Sequence, residues 1–190
     1  MANFGVSFPT IARLNVGTGK YSGAFKCGSA INTSVTPNYN EAALFADNRQ
    51  KETVSEFKNA SVELGVDTVP IEAAELLFGH KITEDGTETS NADDSGAYVG
   101  YGFITAEMIS GVKKYRACIL HKVKFKETAE SYQTKGDSIQ FGTPALSGTA
   151  TADDKGDWRT KSPYLDSEDA CDQWILQQLG IEVSDVPGTE

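Results

Sequence analysis

The chain is short of the groups that do chemistry near neutral pH. It has only two histidines, His80 and His121, among 190 residues, and neither lies in an HExxH pattern. No GxSxG elbow is present either, so no template for a metallohydrolase or a serine hydrolase can be read. The three cysteines, Cys27, Cys118 and Cys171, are odd in number and form no CxxC pair. That argues against a disulfide framework and against a cysteine-rich zinc site, and leaves small reduced thiols as the expectation. On a strand, Cys118 and His121 would point to opposite faces and could not act as nucleophile and base. No apolar run approaches the ~20 residues of a membrane-spanning helix. Residues 1–14 lack the basic-then-apolar order of a secretory signal, so a cytoplasmic site of synthesis is expected, with no membrane partner.

Positive charge is also scarce. Seventeen Lys and Arg face 27 Asp and Glu, for a formal net charge of −10. Such a protein repels a phosphate backbone, so sequence-independent DNA binding is not expected. The segment 15–20, Asn-Val-Gly-Thr-Gly-Lys, lacks the glycine spacing and the Lys-Ser/Thr ending of a phosphate loop and reads as a turn or mobile arm. The acidic run over residues 82–97 carries Glu84, Asp85, Glu88, Asp93 and Asp94 without a Lys or Arg. It lacks the ligand spacing of an EF-hand and is read as a solvated loop. No catalytic, metal or cofactor set is assigned, and no cofactor is expected.

What the sequence does have is glycine, threonine, serine and asparagine, the composition of strands and turns. Residues 61–66 alternate, with Val62, Leu64 and Val66 on one face. Residues 42–45 lead into the turn-like pair Asp47-Asn48, and residues 53–57 lead away from it. Residues 98–104 and 115–125 read as strands separated by the turn signal Ser110-Gly111. The second is unusually long, given a typical strand of ~5–6 residues. Strict alternation along it would place Arg116, Lys122 and Lys124 on one side, a small basic face suited to ion pairs with acidic loops of neighbouring copies. A hairpin is expected over residues 132–143, and a short strand over 146–151. Two helices are predicted. One runs over residues 70–79, with Pro70 at its start, Ile71, Ala74, Glu75 and Phe78 at i, i+3, i+4, i+7 spacing with Leu77 alongside, and Gly79 as its stop. The other runs over 167–179, capped by Ser167, with Glu168 and Asp169 in its first turn. The fold class is therefore mainly β (α+β). Residues 1–30 are read as an irregular N-terminal arm, 31–160 as the β domain, and 161–190 as a C-terminal helix with an acidic tail.

The order of several segments resembles the major tail protein family of siphovirus bacteriophages, the phi-thirteen type. These are Ala43-Leu-Phe-Ala-Asp-Asn48, Ala60-Ser-Val-Glu-Leu-Gly-Val-Asp67, Ala74-Glu-Leu-Leu-Phe-Gly-His80, Tyr98-Val-Gly-Tyr-Gly-Phe103, Lys114-Tyr-Arg-Ala117 and Tyr132-Gln-Thr-Lys-Gly-Asp-Ser-Ile-Gln-Phe-Gly-Thr-Pro144, ending near Asp157-Trp158-Arg159. The likeness spans roughly residues 30–180. It implies a tail-tube fold, a β-sandwich or partly closed barrel flanked by the helix at 70–79. It implies a structural virion protein and not an enzyme: hexameric rings of the chain itself, stacked head to tail into a tube through which DNA is ejected. Implied partners are a tape measure, a tail terminator and a distal tail protein, with DNA passing an acidic lumen unbound. Implied location is the virion tail, assembled in the host cytoplasm. Under this resemblance the acidic loop residues Glu84, Asp85, Glu88, Asp93 and Asp94 and the basic residues Arg116, Lys122 and Lys124 are the assembly candidates. A ring-forming tube protein of a contractile injection or type VI secretion system shares the implied fold. A β-sandwich that binds a surface is the alternative from another class.

Overall fold

The computed structural model describes residues 3–128, 134 and 143–181. Most of the hairpin expected over 132–143, and the tail beyond Ile181, lie outside the described residues. The chain runs β1 (Asn3–Asn15), β2 (Lys20–Lys26), β3 (Ala30–Ala46), β4 (Arg49–Val66), α1 (Ile71–Phe78), β5 (Lys81–Ile82), β6 (Glu88–Thr89), β7 (Val99–Ile109), β8 (Val112–Lys126), β9 (Ala145–Thr151), β10 (Arg159–Lys161) and α2 (Glu168–Gln178). The mainly β expectation holds, and both helices lie where their caps predict. Gly79 closes α1 in the left-handed conformation, and the Ser167 hydroxyl accepts from the Ala170 N–H at the start of α2.

Eight strands form one antiparallel sheet in the order β2-β1-β7-β8-β9-β4-β3, with β10 also on β8, and β5 and β6 pair apart from it. The far edge of β8 is shared: Cys118–Leu120 face β10, and residues 122–126 face β9. The sheet curls until its two ends enclose a core. Val62, Leu64 and Val66 of β4 meet Ile11 of β1, Val99 and Tyr101 of β7, and Leu120, Val123 and Phe125 of β8, while Ala73 and Leu77 of α1 close one opening. Tyr101 spans the interior, its hydroxyl 2.9 Å from Thr33 Oγ1 on β3.

A second, smaller core lies on the outer face. There Cys171, Ile175, Leu176 and Leu179 around α2 pack on Ala12, Ala24, Ile104, Ala117 and Ile119. The seat for α2 is cut by glycine. A Cβ on Gly102 would lie 2.6 Å from Ile175 Cγ2, so any side chain there would force Ile175 of α2 to shift.

Two expectations are corrected. Residues 1–30, read as an irregular arm, contain β1 and β2, and Ile11 and Ala12 are fully buried. Glycine and asparagine there serve turns and irregularities, while β1 slips register twice against β7 and carries Phe8 at φ 51°. Such bulges break the period-two pattern by which a strand is recognised. The simple alternation of β8 also fails. Val99 pairs with Val123 and Tyr101 with Leu120, so two residues of β7 match three of β8. The extra residue near His121 and Lys122 swaps the faces. Cys118 and Leu120 share the inner core with Val123 and Phe125, while Ala117 and Ile119 belong to the outer one.

Candidate assembly interface

The longest elements are the least supported. β3 and β4 pair continuously from Ala30↔Val66 to Ala46↔Arg49. They are joined by Asp47 and Asn48 at φ 53° and 58°, the signature of a type I′ hairpin turn. Their inner half lies in the sheet, and Ala60, Val62 and Leu64 are fully buried. The outer half leaves the sheet as a two-stranded arm. On it Tyr39, Leu44, Phe45 and Val54 are 50%, 57%, 67% and 51% exposed. An isolated two-stranded ribbon is marginal in water, and large apolar side chains in such a ribbon call for a covering surface.

The root of the arm is fixed by a row of rings. Tyr39 meets Phe57 edge-on at 6.1 Å, Phe57 stacks on Trp158 at 4.6 Å, and the Arg159 guanidinium lies 4.3 Å from the Trp158 ring centre. β3 is also the terminal strand of the sheet. Over its 17 residues it carries one charged side chain, Glu41, and Pro37, which suits an edge because it donates no ladder hydrogen bond. A long edge with so little charge is a template for another strand.

The expected assembly residues fall into separate groups. Glu84 and Asp85 occupy the β5–β6 turn, Glu88 lies on β6, and Asp93 and Asp94 form the next turn. Asp85 accepts from the Thr83 hydroxyl and from the Thr87 N–H at 3.1 Å, and these bonds hold its carboxyl below the usual range. The segment is anchored at both ends. Ala97 N–H donates to the Leu76 carbonyl at 2.9 Å. His80 is buried just after α1, with Nδ1 2.5 Å from Glu88 Oε1 and Nε2 3.0 Å from Glu127 Oε1. Both nitrogens can donate only when the ring carries both protons. This clamp had no local sequence signal, because Glu127 comes from the far end of β8.

The three basic candidates do not form one face. The β8 bulge sends Lys122 and Lys124 over the Tyr98 ring, at 5.2 and 5.5 Å, and Lys124 Nζ donates to Ser95 Oγ at 2.8 Å. Arg116 instead lies over Tyr164 at 5.0 Å and donates from Nε to the Ser162 carbonyl. It lines a cavity of about 210 Å³ with Arg159, Lys161, Glu107, Thr33 and Val35. Glu107 is buried and accepts from the Tyr164 hydroxyl at 2.9 Å.

The groups that could serve chemistry are muted by burial. All three cysteines are free and buried. Burial, with the Asp67 carboxylate behind it, pushes the Cys27 thiol up to about 12, and burial pushes Cys118 up to about 11. Neither is a thiolate at neutral pH. A larger cavity of about 530 Å³ mixes Lys20, Lys122 and Lys155 with Asp153, Asp154 and Asp157, beside His121 and Tyr21. Its histidine is held by Thr160 Oγ1 at 2.7 Å from Nε2, and burial lowers its affinity for a proton. Among the described residues no set of three or more His, Cys, Asp or Glu side chains converges on a metal position.

No family model matches this chain, and no curated protein matches its sequence. Among the described residues no helix is long and apolar enough to cross a membrane.

Proposed function

We propose that the chain is a structural subunit of a phage tail, whose copies join in six-membered rings that stack into the tube conducting DNA out of the particle. The observation that carries this reading is the outer half of the β3–β4 hairpin: a paired, regular arm with four large apolar side chains half exposed or more. A second copy supplies what the single copy lacks, a surface for the arm and a strand for the β3 edge. The ordered segments that resemble siphovirus major tail proteins choose the tube among self-assembling objects. The chain has no catalytic step in this reading, and the excess of carboxylates gives passing DNA no attractive wall. The tape measure, the terminator and the distal tail protein remain the proposed heterologous partners, and the virion tail the proposed location.

Negative-stain electron microscopy over a concentration series tests the proposal. Rings or hollow tubes are expected, with weaker assembly at high salt where ion pairs contribute. A chain that stays strictly monomeric at the highest concentration, with its arm still open to protease, would overturn it.

A further inference from the structure

The charges described above are separated along the molecule. Arg116, Arg159 and Lys161 converge on the 210 Å³ cavity. Among the described residues none of them forms an ion pair within its own copy. Glu107 is the one carboxylate in the lining, and the Tyr164 hydroxyl already donates to it. The cavity therefore keeps a surplus of two positive charges in a protein of net charge −10.

The opposite surplus lies elsewhere. Glu84, Asp85, Asp93 and Asp94 crowd the segment between α1 and β7, which holds no Lys or Arg over residues 82–97. That segment touches β8 at Lys124, through Ser95, and its anchor His80 reaches Glu127. Arg116 stands eight residues back along the same strand, about 26 Å away at the strand rise. Among the described residues no ion pair joins the two groups within one copy, whereas two copies placed end to end could bring them together. A contact between unlike ends also repeats without closing.

We infer that the cavity lined by Arg116, Arg159 and Lys161 receives the acidic segment 82–97 of a second copy, joining copies head to tail. This rests on the reading that the chain assembles with itself, and it assigns one specific contact within that assembly. The cavity adjoins the aromatic root of the arm, since Arg159 covers Trp158, which stacks on Phe57. The ionic contact and the arm thus share a border. Asp85 is suited to the role because its hydrogen bonds keep it anionic.

The test is a charge exchange on the full chain. Arg159 and Lys161 are exposed, so R159E/K161E is expected to fold, its melting curve moved only by the lost Arg159 cover on Trp158, and K161E alone is expected to keep the wild-type melting curve. The double variant should cut head-to-tail stacking by about tenfold or more as like charges come to face each other. E84K/D85K, on the exposed turn, should do the same, and combining the four substitutions should restore stacking. A zero-length carboxyl–amine cross-linker should join Lys161 of one wild-type copy to Glu84, Asp85, Asp93 or Asp94 of another. Unchanged stacking by both reversed variants, no recovery on combination, or absence of that cross-link would each overturn the inference. So would a short DNA duplex bound by the wild type and lost by R159E/K161E while stacking stays intact, which would give the cavity to nucleic acid. Rings or tubes formed normally by the reversed variants defeat this contact and leave the tube reading standing. Failure of the wild type to form either defeats the tube reading itself.

Discussion

The two halves of the β3–β4 hairpin share a ladder, a register and a strand chemistry, yet they live in different surroundings. Residues 60–66 of β4 place Val62, Leu64 and Val66 at 0% exposure inside the core. Residues 39–57 hold Leu44, Phe45 and Val54 in solvent. Backbone pairing alone therefore does not explain why both halves exist. The inner half is held by apolar burial within one chain. The outer half must recover its burial from another molecule or remain a marginal ribbon. In the proposed assembly, one pair of strands would serve both fold and contact between copies.

That division can be broken experimentally. The largest effect is expected from replacing Leu44 and Phe45 together by Ser. Assembly seen by microscopy should disappear while the stability of the isolated chain moves by less than about 0.5 kcal/mol, as for exposed positions generally. A large loss in the denaturant midpoint would mean the arm is part of the folding core after all. Leu64→Ala should behave in the opposite way, costing about 2–5 kcal/mol in urea titrations through the lost methyl groups and the cavity left behind. Gly102→Ala sharpens the comparison on the other face of the sheet. Its Cβ would intrude on Ile175, and a loss of about 1–3 kcal/mol is expected, with loosened protection of α2 amides in hydrogen exchange.

The smallest effect concerns pH. Burial lowers the His121 proton affinity below its ordinary value of 6.5. The unfolded chain therefore binds this proton more readily than the folded one. The associated stability is fully present above pH 6.5 and is lost as pH falls through the depressed folded value. His121→Gln should flatten the acid side of the stability profile, and an unchanged slope would show that other groups set it.

What could be read from the chain depended on how local its causes were. Pro70 and Gly79 bracket α1, and Ser167 caps α2, because caps act within a turn of the residues they serve. The Asp47-Asn48 turn was legible for the same reason. The strands β1 and β2 were not, because each irregularity in β1 shifts its apolar residues to the other face. The basic face failed similarly, since one extra residue in β8 parts Arg116 from Lys124, and no propensity announces a bulge whose cause is the pairing partner. His80 and Glu127 lie 47 positions apart (127 − 80), and the cavity of Arg116, Arg159 and Lys161 joins two strands. Contacts of that kind exist only after the sheet has curled.

The arm also behaves as a ruler with a parity rule. From Tyr39 to Ala46 it reaches out eight residues, about 25 Å. Removing one cross-strand pair, such as Ala43 with Thr53, would shorten that reach by one step. It would also turn Leu44 and everything beyond it to the opposite side of the ribbon. Removing two adjacent pairs would shorten the reach further and leave every remaining side chain facing as before. If distance alone governs engagement, the shorter arm is the worse one. If facing governs, the even deletion outperforms the odd one despite its greater loss of length.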